Sequence, residues 1–368
     1  MTLRLEPVTF SELPGWQDDD PTAVIEALRR CHHHVSTAKP YRTGSLGVSV
    51  DDLMPALAAA GAPVAGADAA RAFFEQHFVA FRIRPETGGT GFVTAFYEPE
   101  IEVQSVADEI FRYPIYRRPI DLVDIDDTNR PPDMDPYFAF GRMHDGVVGE
   151  YPDRPAIEKG FLAGRGLEIA YAKSKVDVFF VHVQGAARLV YPDGSRRRIT
   201  YAAKTGHYFS PIGKLLIDRG EIDAGTVSMM SIRAWLAANP DRVDEVLWHN
   251  RSFIFFREAD VQDERLGPVA AAKVSLEPGR SLAVDRLIHT FGVPFFISSD
   301  SLTRLDAGEP FRRLMLALDT GSAIVGPARG DIFTGSGELA GELAGAVRNE
   351  ADFYIFIPSA AAARYGNG

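Results

Sequence analysis

A single cysteine, Cys31, in 368 residues leaves no intrachain disulfide to form, so the fold holds without one in any compartment. Positive charge is also scarce. Lys and Arg total 39 against 50 Asp and Glu, for a formal net charge of −11. Nucleic-acid affinity leans on clustered Lys and Arg, so no nucleic-acid partner is expected. The longest basic run, Arg196-Arg197-Arg198, reads as a solvated turn in a hairpin. No apolar run approaches the ~18 residues a membrane-spanning helix needs. Met1 to Glu6 lacks a charged-then-apolar export pattern, and no lipid-accepting cysteine stands near it. Nucleotide-cradling glycine motifs are missing too, which argues against a nucleotide cofactor. The run Cys31-His32-His33-His34 lies on a predicted helix, where consecutive side chains diverge, so no metal site is expected.

What remains is an ordinary globular mix, 46% hydrophobic and 24% charged. At ~100–200 residues per domain the length suits two domains, or three. Residues 1–80 read as helical: Asp18-Asp19-Asp20-Pro21 looks like a helix start, and Val24, Ile25, Leu28 and Cys31 follow at helical spacing. From about Gly88 the grammar turns to strands, with Gly91 to Tyr97 the first and Asp177 to Gln184 the clearest. Arg188 to Tyr191, Pro192-Asp193-Gly194, and Arg197 to Thr200 read as a hairpin. Helices are expected at 212–218, 228–238 and 241–250, then strands from Ser252 to Pro358. The economical reading is one domain inserted in another: 102–240 within a host made of 1–101 and 241–368.

Chemistry concentrates in the last third. Asp285, Asp319 and Asp331 each follow or interrupt an apolar, strand-like run beside Gly turns. Asp beside Gly is first a turn former. Three such acids in one segment can instead converge on a pocket, where burial and mutual repulsion raise a pKa toward neutrality. A carboxylic acid kept protonated can donate its proton to a leaving oxygen. Asp319-Thr320-Gly321-Ser322-Ala323 also matches the local signature of aspartic proteases, but that mechanism shares one proton between two such aspartates, and no second copy is present. Phe96, Tyr97, His207, Tyr208 and Phe209 offer flat faces for sugar rings or for packing.

Together these segments resemble the membrane-bound lytic murein transglycosylase A family. The matching stretches are Gly91 to Pro99, Val183 to Arg188, Tyr201 to His207, Ile212 to Gly220, and the three aspartate segments at Asp285, Asp319 and Asp331. The resemblance implies a mainly β fold with helices: a double-psi β-barrel carrying N-terminal helices, and a smaller inserted β-barrel. It implies that glycan lies between them, with Asp331 as the catalytic acid and Asp319 and Asp285 beside it. Thr94, Tyr97, Gln184, Gly185 and His207 would line the substrate groove.

The implied activity is lytic cleavage of the β-1,4 bond between N-acetylmuramic acid and N-acetylglucosamine in peptidoglycan, giving 1,6-anhydro products without metal or cofactor. The alternatives are a hydrolase, acting on glycans or as an aspartic protease, and an inactive cell-wall binding protein. The implied setting is periplasmic and associated with the outer membrane, with an export segment outside the sequence shown. The expected state is a monomer on peptidoglycan strands, with cell-wall synthesis or divisome proteins as candidate partners. The negative chain does not attract an anionic polymer, so hydrogen bonds and ring stacking should carry recognition, with little salt dependence. Departures from the family pattern are Ser322 for Gly, Val325 for Lys, Thr205 for Asn, Ser210-Pro211 for Arg-Ser and Ala186-Ala187 for Ser-Gly.

Overall fold

The first long helix, Thr22–Thr37, starts where the sequence says it should. Asp20 accepts the Thr22 amide at 3.1 Å, and Val24, Ile25, Leu28 and Cys31 are fully buried. Asp19, one residue earlier, does something different. It is buried, pairs with Arg280 at 2.7 Å and accepts the Leu314 amide at 2.8 Å, tying the N-terminal segment to the barrel strands. The computed structural model describes residues 3–85, 88–260 and 263–365. It divides into two units, Met1–Tyr97 with Val261–Gly368, and Glu98–Asp260.

The first unit is built on an eight-stranded sheet. Six of its strands form a closed cycle: Arg348–Pro358, Pro294–Ser299, Phe311–Asp319, Ser281–Val284, Arg329–Ser336 and Gly91–Glu98, which pairs back with Arg348–Pro358. Leu3–Val8 and Phe78–Pro85 extend the sheet from the last strand. The pairing of Ser281–Val284 with Phe311–Asp319 is parallel, whereas its pairing with Arg329–Ser336 is antiparallel. This six-stranded closure is the double-psi barrel. Its interior is apolar: Phe295, Phe296, Leu316, Leu318, Ile332, Phe333, Ile355 and Phe356 are all fully buried. The helices Thr22–Thr37, Val50–Ala59 and Gly66–His77 share that core.

The inserted unit carries a six-stranded sheet ordered Ile254–Ala259, Arg196–Lys204, Ala186–Val190, Glu100–Gln104, Glu168–Ala172, Tyr113–Tyr116. A bridge between Arg117 and Phe256 links its two edge strands, closing a smaller barrel. The expected hairpin is present, with Ala186 opposite Thr200 and Val190 opposite Arg196.

Two expectations need correction. Asp177 to Gln184 is not a strand: it lies in the helix Lys175–Gln184. The Ser174 side chain caps it by accepting the Asp177 amide, and Gly185 ends it in the left-handed region at φ 75°. An unbroken apolar run has no periodicity to separate a buried strand from a buried helix, so the flanking caps decide. The second junction also lies later than 240, at Asp260. The helix Val243–Trp248 contributes Val246 and Leu247 to a core with Phe179 and Phe180, and Ile254–Ala259 pairs with Arg196–Lys204. The strand-rich C-terminal stretch also contains the helix Glu338–Gly345.

Asp19→Ala would remove the ion-pair partner of the partly buried Arg280 and leave the buried Leu314 amide without its acceptor, so a loss of about 2–4 kcal/mol in unfolding free energy is expected. Urea denaturation followed by tryptophan fluorescence measures it.

Candidate active site

The short strand Ser281–Val284 places the acids. Its Ala283 pairs with Asp319 on one side, through a register shift, and with Asp331 on the other. Two strand spacings therefore separate the two aspartates, about 10 Å between backbones. No hydrogen bond joins their carboxylates among the described residues, so this is not a proton-sharing dyad of the protease kind.

Asp331 is half-buried. Its Oδ1 accepts a short hydrogen bond from the Thr94 hydroxyl. Arg329 donates to the Thr94 oxygen at 2.7 Å, so the single hydroxyl proton of Thr94 is committed to Asp331. Oδ2 makes no hydrogen bond among the described residues. Burial raises the pKa of Asp331, while the Thr94 hydroxyl and the Arg329 guanidinium oppose the shift. Asp319 is pushed up to about 6, first by burial and also by the charge of Asp331, against main-chain amides of Thr320 and Ala271 and the Lys273 cation. The Ala271 amide donates to its Oδ1 at 3.2 Å.

Asp285, expected beside the other two acids, is engaged with the main chain. Its two carboxylate oxygens are spent on main-chain amides, Leu287 at 3.0 Å and Gly326 at 2.8 Å. Four residues on, the buried His289 donates from Nε2 to the Pro327 carbonyl at 2.8 Å. Both side chains thus pin the loop that joins the Asp319 strand to the Asp331 strand.

Among the expected groove residues, Thr94 touches Asp331. The Tyr97 ring packs where a side chain on Gly341 would stand. Gln184 and Gly185 sit at the end of the helix Lys175–Gln184, in the inserted unit. His207 is buried. It is 3% exposed, donates from Nε2 to the Tyr151 carbonyl at 2.7 Å and meets the Phe138 ring edge-on. Sequence reading passed over Arg329 and His289. Arg329 carried a usable signal, since positions i and i+2 of a strand share a face and Asp331 is two residues on. His289 had none.

Residues 92–257 match the model of the MltA specific insert domain, and 280–357 match the 3D domain. The chain is similar to a membrane-bound lytic murein transglycosylase from Agrobacterium tumefaciens, of solved structure. They share 62% identity over 98% of this chain and 99% of that one, with a TM-score of 0.94. The chain belongs to the membrane-bound lytic murein transglycosylase A family. It is 34% identical to the Escherichia coli MltA over 68% of this chain. Its alignments span 62% and 61% of the length of the Vibrio cholerae and E. coli relatives. A structure of E. coli MltA with bound chitohexaose aligns at 26% identity and a TM-score of 0.66, over 96% of this chain and 91% of that one.

Against the MltA pattern, the departures fall into place. Val325 is 67% exposed, and cations still stand by both acids, Lys273 near Asp319 and Arg329 near Asp331. Thr205, where Asn is usual, is fully buried and exchanges hydrogen bonds with the Phe253 backbone.

Two measurements probe these electrostatics. A carboxyl whose folded pKa exceeds its unfolded value stabilises the fold fully below the unfolded value and loses that contribution as pH rises through about 6. Asp319→Asn should therefore stabilise the protein at pH 8 by roughly 1–3 kcal/mol and leave it unchanged at pH 3.5 or below, read as thermal midpoints at both values. Thr94→Val and Arg329→Met should each raise the pKa of Asp331 further, because each removes a group favouring the carboxylate. Carboxyl 13C NMR titration reads this directly.

Proposed function

We propose that the protein is a peptidoglycan lytic transglycosylase in which Asp331 is the acid and base. The supporting observation is its carboxyl group: one oxygen is fixed by Thr94, the other has no hydrogen-bond partner among the described residues, and its pKa is lifted by burial. Such an acid holds its proton more tightly than an ordinary carboxyl group does and presents it in one direction. Family membership points to the same activity.

In the proposed step the Oδ2 proton moves to the glycosidic oxygen as the bond from C1 of N-acetylmuramic acid breaks. The C6 hydroxyl of the same sugar attacks C1, and its proton returns to Asp331. The products are a 1,6-anhydro sugar end and a free 4-hydroxyl on the departing N-acetylglucosamine. Glycosidases that use water need a second carboxyl group to activate it or to act as nucleophile. Here the nucleophile is already tethered, and intramolecular attack gains effective molarity that a bound water lacks. That is why one acid suffices. Asp319 acts on the field around Asp331, and Asp285 holds the loop between them. Chitohexaose bound to the E. coli relative supports a glycan substrate for this chain. A periplasmic, outer-membrane-associated setting fits the membrane-bound relatives. Among the described residues no helix is long and apolar enough to cross a membrane.

Digestion of purified sacculi with mass spectrometry of the products tests the reading. The native chain should release 1,6-anhydro-muropeptides, and Asp331→Asn should lower the rate by at least about 100-fold. Reducing-end products would indicate hydrolysis instead, and no release a binding protein. Near-native turnover by the Asn variant would remove Asp331 from the mechanism.

A further inference from the structure

The inserted unit carries a stacked pair of tyrosines. Tyr137 and Tyr208 stack face to face, centroids 3.8 Å apart and planes within 13°. Both hydroxyls are tied. Tyr208 donates to Asp135 Oδ2 at 2.9 Å, and Lys204 donates to the Tyr137 hydroxyl at 3.1 Å. The other Asp135 oxygen accepts the Tyr137 amide at 2.8 Å. The Lys204 ammonium also lies 4.7 Å from the centre of the Tyr137 ring.

The backbone under Tyr208 is equally constrained. Gly206 has φ +91°, and a Cβ there would meet the Phe140 carbonyl at 2.5 Å. His207 is the buried anchor already described. Yet Tyr208 is 51% exposed. Tyr137 covers one face of its ring, so that exposure belongs to the rest of the side chain.

An exposed ring is ordinarily free to change rotamer, and ordering it costs free energy on binding. Here that cost is met before any ligand arrives. A flat apolar face with a carboxylate and a phenol on its rim suits a pyranose. The sugar's C–H face covers the ring, while hydroxyl and N-acetyl groups reach the polar edge. The patch is a single ring, too small for the apolar centre of a standard protein interface. We infer that Tyr208, backed by Tyr137, is a glycan-stacking subsite of the inserted unit, binding an N-acetylated pyranose through the ring face. The choice of sugar rests on the lytic transglycosylase reading.

The test uses the full chain with Asp331→Asn, so that ligand is not consumed, and chitohexaose as probe in titration calorimetry. Adding Tyr208→Ala should weaken binding about five- to tenfold, or roughly 1–1.4 kcal/mol. Tyr208→Phe keeps the ring and should stay within about threefold, which separates loss of stacking from misfolding. Saturation-transfer NMR should show the signal on sugar ring protons falling in the Ala variant. Binding by Tyr208→Ala within twofold of its parent would overturn the subsite while leaving the catalytic reading standing. A parent that binds no chitohexaose would also overturn the subsite, and the sacculus digestion reports separately on the chemistry.

Discussion

Four buried residues, Ser281 to Val284, set the geometry on which the catalytic centre depends. This strand is parallel to one neighbour and antiparallel to the other, so the end of one partner and the start of the other meet at Ala283. The two ladders are what bring Asp319 and Asp331, twelve positions apart in sequence, to adjacent places on one barrel. The strand's own side chains are sealed within the core, so a change in its register would move both acids at once. Burial beside that apolar core is also the leading cause of both raised pKa values. Fold and reactivity therefore share one origin: the packing that closes the barrel also withholds water from the carboxyl groups.

The loop between the acids shows how position is kept without rigidity of sequence. Ser322 and Val325 are exposed, and the family pattern is broken at both. The backbone beyond them is held at Gly326 by Asp285 and at Pro327 by His289. Contacts to main-chain groups are indifferent to the side chains outside. This explains how the loop can change its surface residues while Asp331 enters its strand at the same place.

Legibility in the sequence followed the range of the interaction. The helix at Val24 to Cys31, the hairpin at Arg188 to Thr200 and the three acids at strand ends are written in local periodicity and turn residues. The segment Asp177 to Gln184 was misread because its apolar run is continuous and the deciding signals, Ser174 and Gly185, stand outside it. His207 was read as a ligand-facing ring, but its environment depends on Tyr151 and Phe138, more than fifty residues away in the chain. Arg329 and Thr94 likewise meet only through tertiary structure. The late domain junction has the same cause: residues 241–260 are committed to the inserted unit by pairing and packing that local pattern does not express.

Thr94 constrains Asp331 because a hydroxyl can donate only once. Had Arg329 been absent, the Thr94 proton would be free to turn away and Asp331 would be an acid with two equivalent oxygens. With Arg329 donating to it, Thr94 must donate onward, and the proton of a neutral Asp331 is left on the other oxygen. The same pair favours the carboxylate, so it works against the burial that raises the pKa. In the proposed reaction one group gives a proton and then takes one back, and that opposition would serve both steps. An acid raised by burial alone would surrender its proton reluctantly, and one fully neutralised by a cation would not hold it at all. Burial, offset by one hydroxyl and one guanidinium, leaves Asp331 between those limits.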